Sequence, residues 1–415
     1  MNAMPAPASA QVESVPPGPE VVLLFTRFPY PTETFLQREV RALRALGVRL
    51  RLVSLWGGAP EFDGLPVDQF NRWRLFTVIW RLPWEIWRTR GGLLGDVLRA
   101  LVLRPPPGWW NFWENLLGAG YGVVEAPRFR RERPRHVHAV WASAPAGAAW
   151  AVWRLTGIPY SLAAHAYDLY EHGGDWLLRE KIALARFVRT STEMAAATLR
   201  ERGTPPEKVI VVRRGLEELP PCKPLRAART PLRVVCVARL VEKKGLERQL
   251  ELYAAARAAG LALQVRIYGS GPLHPRLAAQ VRERELGGVV EIMGHRPLAE
   301  IFAALAWADV LVHTGVVARS GDRDGLPNVI PEAMAAGTVV VTSPVAATTE
   351  AITHEHTGLV APTEDASAWV AAWRRLAADD ALCERLRGAA REWVEANFDV
   401  HRNAARLLER IRLES

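Results

Sequence analysis

The stretch Val234-Val235-Cys236-Val237-Ala238-Arg239-Leu240-Val241-Glu242-Lys243-Lys244-Gly245 decides the fold. Its first half is a nearly continuous apolar run, the pattern of a strand buried on both faces. A charged loop follows, and then a helical pattern over Leu246–Ala259. The same alternation recurs downstream. Strands read at Leu263–Tyr268, Val289–Met293, Asp309–His313 and Val339–Thr342, with helices at Pro275–Leu286, Leu298–Ala306 and Val329–Ala336 between them. Apolar strands separated by helices imply a parallel sheet covered on both faces, wound in right-handed crossovers. Ligands of such sheets bind beyond the carboxyl ends of the strands, which is where the charged loop lies.

Upstream, the pattern repeats more loosely. Val21–Phe25 reads as a strand, Glu33–Leu46 as a helix stopped by Gly47, and Val48–Leu55 as the next strand. Strands follow at Ala139–Ala142, Tyr160–Ala164 and Val209–Val212, with a helical stretch ending at Gly157. Pro220, Pro221 and Pro224 then mark a linker. The fold class is therefore α/β, two doubly wound domains with a cleft between facing strand ends. The expected division is a loose Pro/Ala/Ser tail at 1–19, a first domain at 20–218, a linker at 219–231, a second domain at 232–395 and a C-terminal helix within 396–415.

Composition narrows the function class. With 415 residues, 49% hydrophobic and 23% charged, the chain reads as globular, which excludes disordered, collagen-like and disulfide-scaffold proteins. The cysteines, Cys222, Cys236 and Cys383, have no metal-like spacing and suit a reducing cytoplasm. No signal peptide or membrane-spanning run is expected. The net charge is +9, and segment 72–135 is its main source, with twelve arginines against five acids. The same segment carries Trp73, Trp80, Trp84, Trp87, Trp109, Trp110 and Trp113. Trp, Arg and short apolar stretches suit an anionic lipid headgroup layer, and they equally suit a helical insertion packed on its own domain. No nucleic-acid partner is expected, since no recognition helix, zinc finger or stacking sheet is readable.

Candidate site residues cluster after strands. Arg239 and Lys244 meet free helix N–H groups, an arrangement for a multiply charged anion such as a diphosphate. Gly269 and Gly271 either let backbone approach that ligand or form a plain tight turn. Gly325, Leu326, Pro327 and Asn328 lead into a helix carrying Glu332, with Asp324 just before them. Glu332 suits ribose hydroxyls and Asp324 sugar hydroxyls, or the two acids mark an ordinary charged helix start. Asp322 with Asp324 also spells a pair that could hold a divalent metal, though Arg239 and Lys244 already offer the charge. In the first half, His165 ends a strand and suits a sugar hydroxyl or proton transfer, or a structural role. Glu33 and Thr34 either line the cleft or cap a helix.

These residues resemble glycosyltransferase family 4. The resemblance rests on Arg239…Lys244, the turn at Gly269, and Asp324…Glu332 followed by Ala333-Met334-Ala335-Ala336-Gly337. Phe28-Pro29…Thr32-Glu33-Thr34-Phe35, His165-x-x-Asp168-Leu169-Tyr170 and Gly321–Asn328 are similar to the branch of colanic acid and other exopolysaccharide transferases. The resemblance implies the two-domain GT-B fold and a retaining transfer from a nucleoside-diphosphate sugar to a glycan or lipid-linked acceptor. It implies that no metal or other cofactor takes part. With the Trp/Arg segment as a docking surface, the expected place is cytoplasmic, at the inner face of the cytoplasmic membrane. Arg239 and Lys244 would hold the diphosphate, Glu332 the ribose, Asp324 the donor sugar, and His165 the reacting region. Glu33, Thr34 and Asp168 would lie on the acceptor side, and the C-terminal helix would pack back on the first domain. Three positions depart from the family pattern. Asp324 replaces the usual Glu, Ala346-Ala347 replaces a Gly-Gly pair, and Pro29, Pro31 and Thr32 occupy the usual glycine-rich first loop. A nucleotide-sugar epimerase of the same fold and a catalytically silent sugar- or membrane-binding protein are the alternative readings.

Overall fold

The computed structural model describes residues 19–103 and 105–415. The expected tail at 1–19 falls outside them except for Pro19. The first sheet has eight strands: β1 (Val21–Phe25), β2 (Leu50–Ser54), β3 (Glu61–Phe62), β4 (Leu65–Gln69), β5 (His136–Ala139), β6 (Tyr160–Ala163), β7 (Val188–Thr190) and β8 (Val209–Val211). Their spatial order is β3-β4-β2-β1-β5-β6-β7-β8, parallel throughout except for the β3–β4 hairpin. The second sheet contains β9 (Leu232–Val237), β10 (Leu263–Tyr268), β11 (Val290–Gly294), β12 (Val310–His313), β13 (Val339–Thr342) and β14 (Leu359–Val360). Its order is β11-β10-β9-β12-β13-β14, with every recorded pairing parallel. In both sheets the order reverses beside the first strand, at β1 and at β9. That reversal is the switch point where a doubly wound sheet opens a ligand crevice.

Two sequence expectations are corrected. The strand expected at Ala139–Ala142 is His136–Ala139 instead. His136 and His138 are buried there, and each places a ring nitrogen 2.8 Å from the Ser161 hydroxyl. The shared hydroxyl satisfies one nitrogen of each ring, which lets polar side chains occupy a core strand. The hairpin β3–β4 was not expected. Its Asp63-Gly64 turn has both residues at positive φ (49° and 75°), the demand of a type I′ turn.

Helix α1 (Thr34–Ala45) packs Leu36, Val40 and Leu43 inward at i, i+4 and i+7. The C-terminal helix Val400–Leu413 lays Val400, Ala404, Leu407, Leu408 and Ile411 into the same core, so the chain returns to the first domain.

Segment 72–135 forms a short 3-10 turn followed by α2 (Val78–Arg88), α3 (Gly92–Leu103) and α4 (Trp109–Glu132). Helix α4 lies tightly against α5 (Ala144–Thr156). A Cβ on Gly118 would meet the Ala144 carbonyl oxygen at 2.1 Å, and one on Gly122 the Ala151 Cβ at 2.5 Å. Beneath α4 the buried Lys181 ammonium contacts Asp175, the Asn115 Oδ1 and the Ala142 carbonyl. The segment is thus a helical insertion welded to its domain through one face. Its tryptophans, however, do not pack inward. All seven are at least 47% exposed, with Phe76 and Ile79 beside them. No described helix is long and apolar enough to cross a membrane.

Candidate active site

The charged loop after β9 sits at the carboxyl edge of the second sheet, as its sequence position requires. Gly245 ends the loop with φ 62°, and a Cβ there would collide with the Thr314 carbonyl oxygen at 2.0 Å. That close approach brings Lys244 to the segment after β12. Lys244 Nζ lies 2.6 Å from Asp324 Oδ2. Lys243 Nζ lies 2.8 Å from Asp322 and 3.7 Å from Asp324. The acid pair Asp322/Asp324 therefore faces two ammonium groups. Among the described residues no cluster of three or more metal-ligating side chains exists.

Burial alone would raise the Asp324 carboxyl. Lys244, with His313 and Lys243, holds it far below the usual carboxylate range, so Asp324 is ionised. His313 Nε2 stands 3.4 Å from Asp324 and ends β12. Sequence reading passed over His313, although its place at a strand's carboxyl end was the available signal.

Gly269 and Gly271 turn tightly against the neighbouring loop. A Cβ on Gly269 would lie 1.8 Å from the Ala238 carbonyl oxygen, and one on Gly271 2.5 Å from that of Leu240. Backbone packing of the Arg239 loop is sufficient reason for both glycines.

Glu332 sits within the helix Val329–Ala335, only 5% exposed. Its Oε1 accepts from Arg38 Nη1 at 3.0 Å, an ion pair that spans the two domains. Burial raises the Glu332 carboxyl and Arg38 offsets part of that. Arg38 was also missed. The available signal was a charge at a position of α1 that turns inward, flanked by Leu36 and Val40.

The loop before this helix also reaches the first domain. Ser320 accepts a hydrogen bond from the His172 N–H at 2.7 Å, and the Arg323 guanidinium lies 4.0 Å from the Tyr170 ring centroid. Gly325, Leu326, Pro327 and Asn328 thus run along the cleft between the two sheets.

On the opposite wall, His165 is buried edge-on to Trp141, and neither ring nitrogen has a hydrogen-bond partner among the described residues. Burial, with Arg214 and Arg189, drives its pKa well below the usual value, so the ring is neutral. Asp168 does not face the acceptor side. It is wholly buried, and its Oδ2 accepts from the His165 N–H at 3.0 Å. Its role is to close the turn that presents His165.

Glu33 makes no side-chain cap to α1. It lines a cavity at the carboxyl ends of β1 and β2. Burial pushes its pKa up to about 7 against the pull of Arg214 and Arg239. Thr34 is the first residue of α1 and is half-buried. Arg214, also unforeseen, lies 3.8 Å over the Phe35 ring, and burial brings its pKa down to about 9.

Comparison with known proteins agrees with this geometry. Residues 223–393 match the family described as glycosyl transferases group 1, and residues 32–215 match the glycosyl transferase 4-like domain. The chain is 35% identical to the putative colanic acid biosynthesis glycosyltransferase WcaL of Escherichia coli (strain K12), over 94% of this chain and 99% of that protein. It is 36% identical to the amylovoran biosynthesis glycosyltransferase AmsK of Erwinia amylovora, over 50% of this chain and 52% of that protein. The crystal structure of Anabaena Alr3699/HepE in complex with UDP and glucose superposes with a TM-score of 0.68 at 17% identity, covering 94% of this chain and 98% of that one. That likeness concerns the fold. The chain belongs to the glycosyl transferases group 1 family and is a glycosyltransferase of GT-B fold.

Proposed function

We propose that this glycosyltransferase moves a sugar, with retention, from a nucleoside-diphosphate sugar to a lipid-linked glycan in exopolysaccharide biosynthesis at the inner face of a membrane. The observation that carries the reading is the Lys244–Asp324 ion pair at the carboxyl edge of the second sheet, on the loop that also carries Arg239, with the Glu33 carboxyl of the first domain close enough to feel Arg239. Arg239 and Lys244 supply the charge a departing diphosphate needs, so no metal or other cofactor takes part. Asp324 accepts from donor-sugar hydroxyls and Glu332 from the ribose. Neutral His165 offers a hydrogen bond to the reacting sugar without adding charge. The names of the similar colanic acid and amylovoran enzymes support the exopolysaccharide assignment, and the UDP bound to HepE supports a nucleotide donor. The exposed tryptophans of 72–135 support peripheral contact with an anionic bilayer, where a lipid-linked acceptor resides.

The test is thermal unfolding with UDP, GDP and ADP in EDTA, beside Lys244→Ala. A ligand at about 100 times its dissociation constant adds about 2.7 kcal/mol. The expected result is a shift with one nucleotide that disappears in Lys244→Ala. That nucleotide's sugars then go into transfer assays. No shift with any nucleotide would overturn the donor site and favour a silent binding protein. A shift that needs Mg²⁺ would overturn the metal-free reading alone.

A further inference from the structure

Several aromatic rings of the first domain stand open beside the cleft instead of packing in a core. Trp56 follows β2, while Trp110 and Trp113 belong to the first turns of α4. They are 43%, 67% and 47% exposed, and Trp56 meets Trp110 edge-on at 6.4 Å. Together with Tyr30, Glu33, Glu114 and Arg27, whose guanidinium lies over the Tyr30 ring at 5.0 Å, they line a cavity of about 300 Å³ at the carboxyl ends of β1 and β2. That volume lies at the lower end of small-molecule sites. A second cavity, of about 420 Å³, shares Trp110 and Glu114 and continues toward His172. His172 is the residue whose N–H donates to Ser320 of the Asp324 loop. The two cavities thus trace one path from the tryptophan face of the insertion to the donor side of the cleft.

We propose that this aromatic cavity seats the acceptor's terminal sugar as an uncharged unit, its C–H faces on Trp56, Trp110 and Trp113 and its hydroxyls on Glu33 and Glu114. The inference rests on the reading of a glycan acceptor given above and adds where that glycan sits and which units it excludes. A sugar ring presents apolar C–H faces and polar edges. Indole faces desolvate the first, and carboxyls take the second. Glu33 and Glu114 both have pKa values raised to about 7, mainly by burial, so near neutrality each exists partly as an acid that donates and partly as an acceptor. A uronic acid or phosphorylated sugar would bring a further anion beside Glu114, which already faces the charge of Asp175 and Glu171. Such a unit is rejected. Of the two pocket carboxyls Glu33 is the one that Arg239 acts on, and it holds the hydroxyl that is to be glycosylated.

The experiment is saturation-transfer NMR on the full chain with methyl glucoside, methyl galactoside, methyl mannoside and methyl glucuronide as probes. Each sample also holds the nucleoside diphosphate that gave the thermal shift. Wild type is expected to bind at least one neutral glycoside through its C–H protons and to leave the glucuronide unbound. Trp110→Ala and Glu33→Gln are each expected to weaken that binding at least about tenfold, a loss of about 1.4 kcal/mol. Leu298→Ala, on the far domain and 38% exposed, keeps it. Binding that persists in both pocket variants, or preference for the glucuronide, would overturn the proposal. Absence of binding by every neutral glycoside would overturn it too. The nucleotide signal separates the two readings. If the pocket proposal alone fails, nucleotide binding remains, and if the transferase reading fails, that signal is lost as well.

Discussion

Replacing Trp80, Trp84 and Trp87 of α2 together by serine tests the membrane face. The three side chains are 62%, 72% and 58% exposed for Trp80, Trp87 and Trp84, and the last two rings pair at 5.1 Å. A tryptophan carries roughly 150–250 Å² of buriable surface, so about two-thirds exposure leaves on the order of 130 Å² on each. Three residues then expose roughly 400 Å², worth about 10 kcal/mol at ~25 cal/mol per Å² if fully withdrawn from water. A helix lying in the headgroup layer sinks only partly. If a third of that surface is covered, the gain is about 3 kcal/mol, or roughly 150-fold in partitioning. Co-sedimentation with phosphatidylglycerol-rich vesicles is the assay. Wild type is expected to bind, and the triple variant to need on the order of 100-fold more lipid for half-binding. Salt should weaken wild-type binding, because exposed arginines contribute through a screened attraction. A triple variant within about threefold of wild type would refute the reasoning.

Two further outcomes concern stability. His136 and His138 are pushed down to about 3, mainly by burial, so the folded chain keeps them neutral while the unfolded chain protonates them near 6.5. Stability is therefore fully present above about pH 6.5 and falls as the pH drops from there toward 3. Denaturant midpoints measured across that range should decline, and should decline less in His136→Phe, which removes one titrating ring. Gly118→Ala forces a Cβ within 2.1 Å of the Ala144 carbonyl oxygen and should cost about 1–3 kcal/mol. Gly95→Ala, in α3 with open space around it, should instead stabilise by up to about 1 kcal/mol. Equal denaturant midpoints for the two variants would show that the α4–α5 contact is not the constraint.

The second sheet was readable because its strands are buried on both faces, and runs such as Val234–Val237 and Val339–Thr342 carry no competing pattern. The first sheet was less so. β5 carries His136 and His138, whose acceptability depends on Ser161, a residue over twenty positions away and invisible to local periodicity. β7 and β14, at three and two residues, are too short to carry a period at all. At the site, the residues that follow strands were legible from position alone. Their partners were not, because Arg38 and Arg214 sit where α1 and its neighbours bury charge against groups from distant segments. Asp168 misled because its spacing from His165 suits a cleft contact and an internal turn equally.

The Arg38–Glu332 pair ties the two domains together across the cleft. Both side chains are under 8% exposed, and one comes from each domain. Removing one partner of such a pair typically costs about 3–5 kcal/mol, since the remaining charge stays buried without its counterion. Arg38→Met should therefore lower the denaturant midpoint strongly and push the Glu332 carboxyl further up, weakening its hold on a ribose at neutral pH. Glu332→Gln in the same chain removes the stranded charge. Arg38→Met/Glu332→Gln should then recover most of the lost stability while leaving nucleotide binding weak. Those two readouts separate because stability depends on charge balance, whereas ribose binding depends on the carboxylate itself. If the double variant is no more stable than Arg38→Met, the loss comes from packing around the guanidinium, and the electrostatic account of the domain contact is wrong. If instead it binds nucleotide as well as wild type, Glu332 does not hold the ribose.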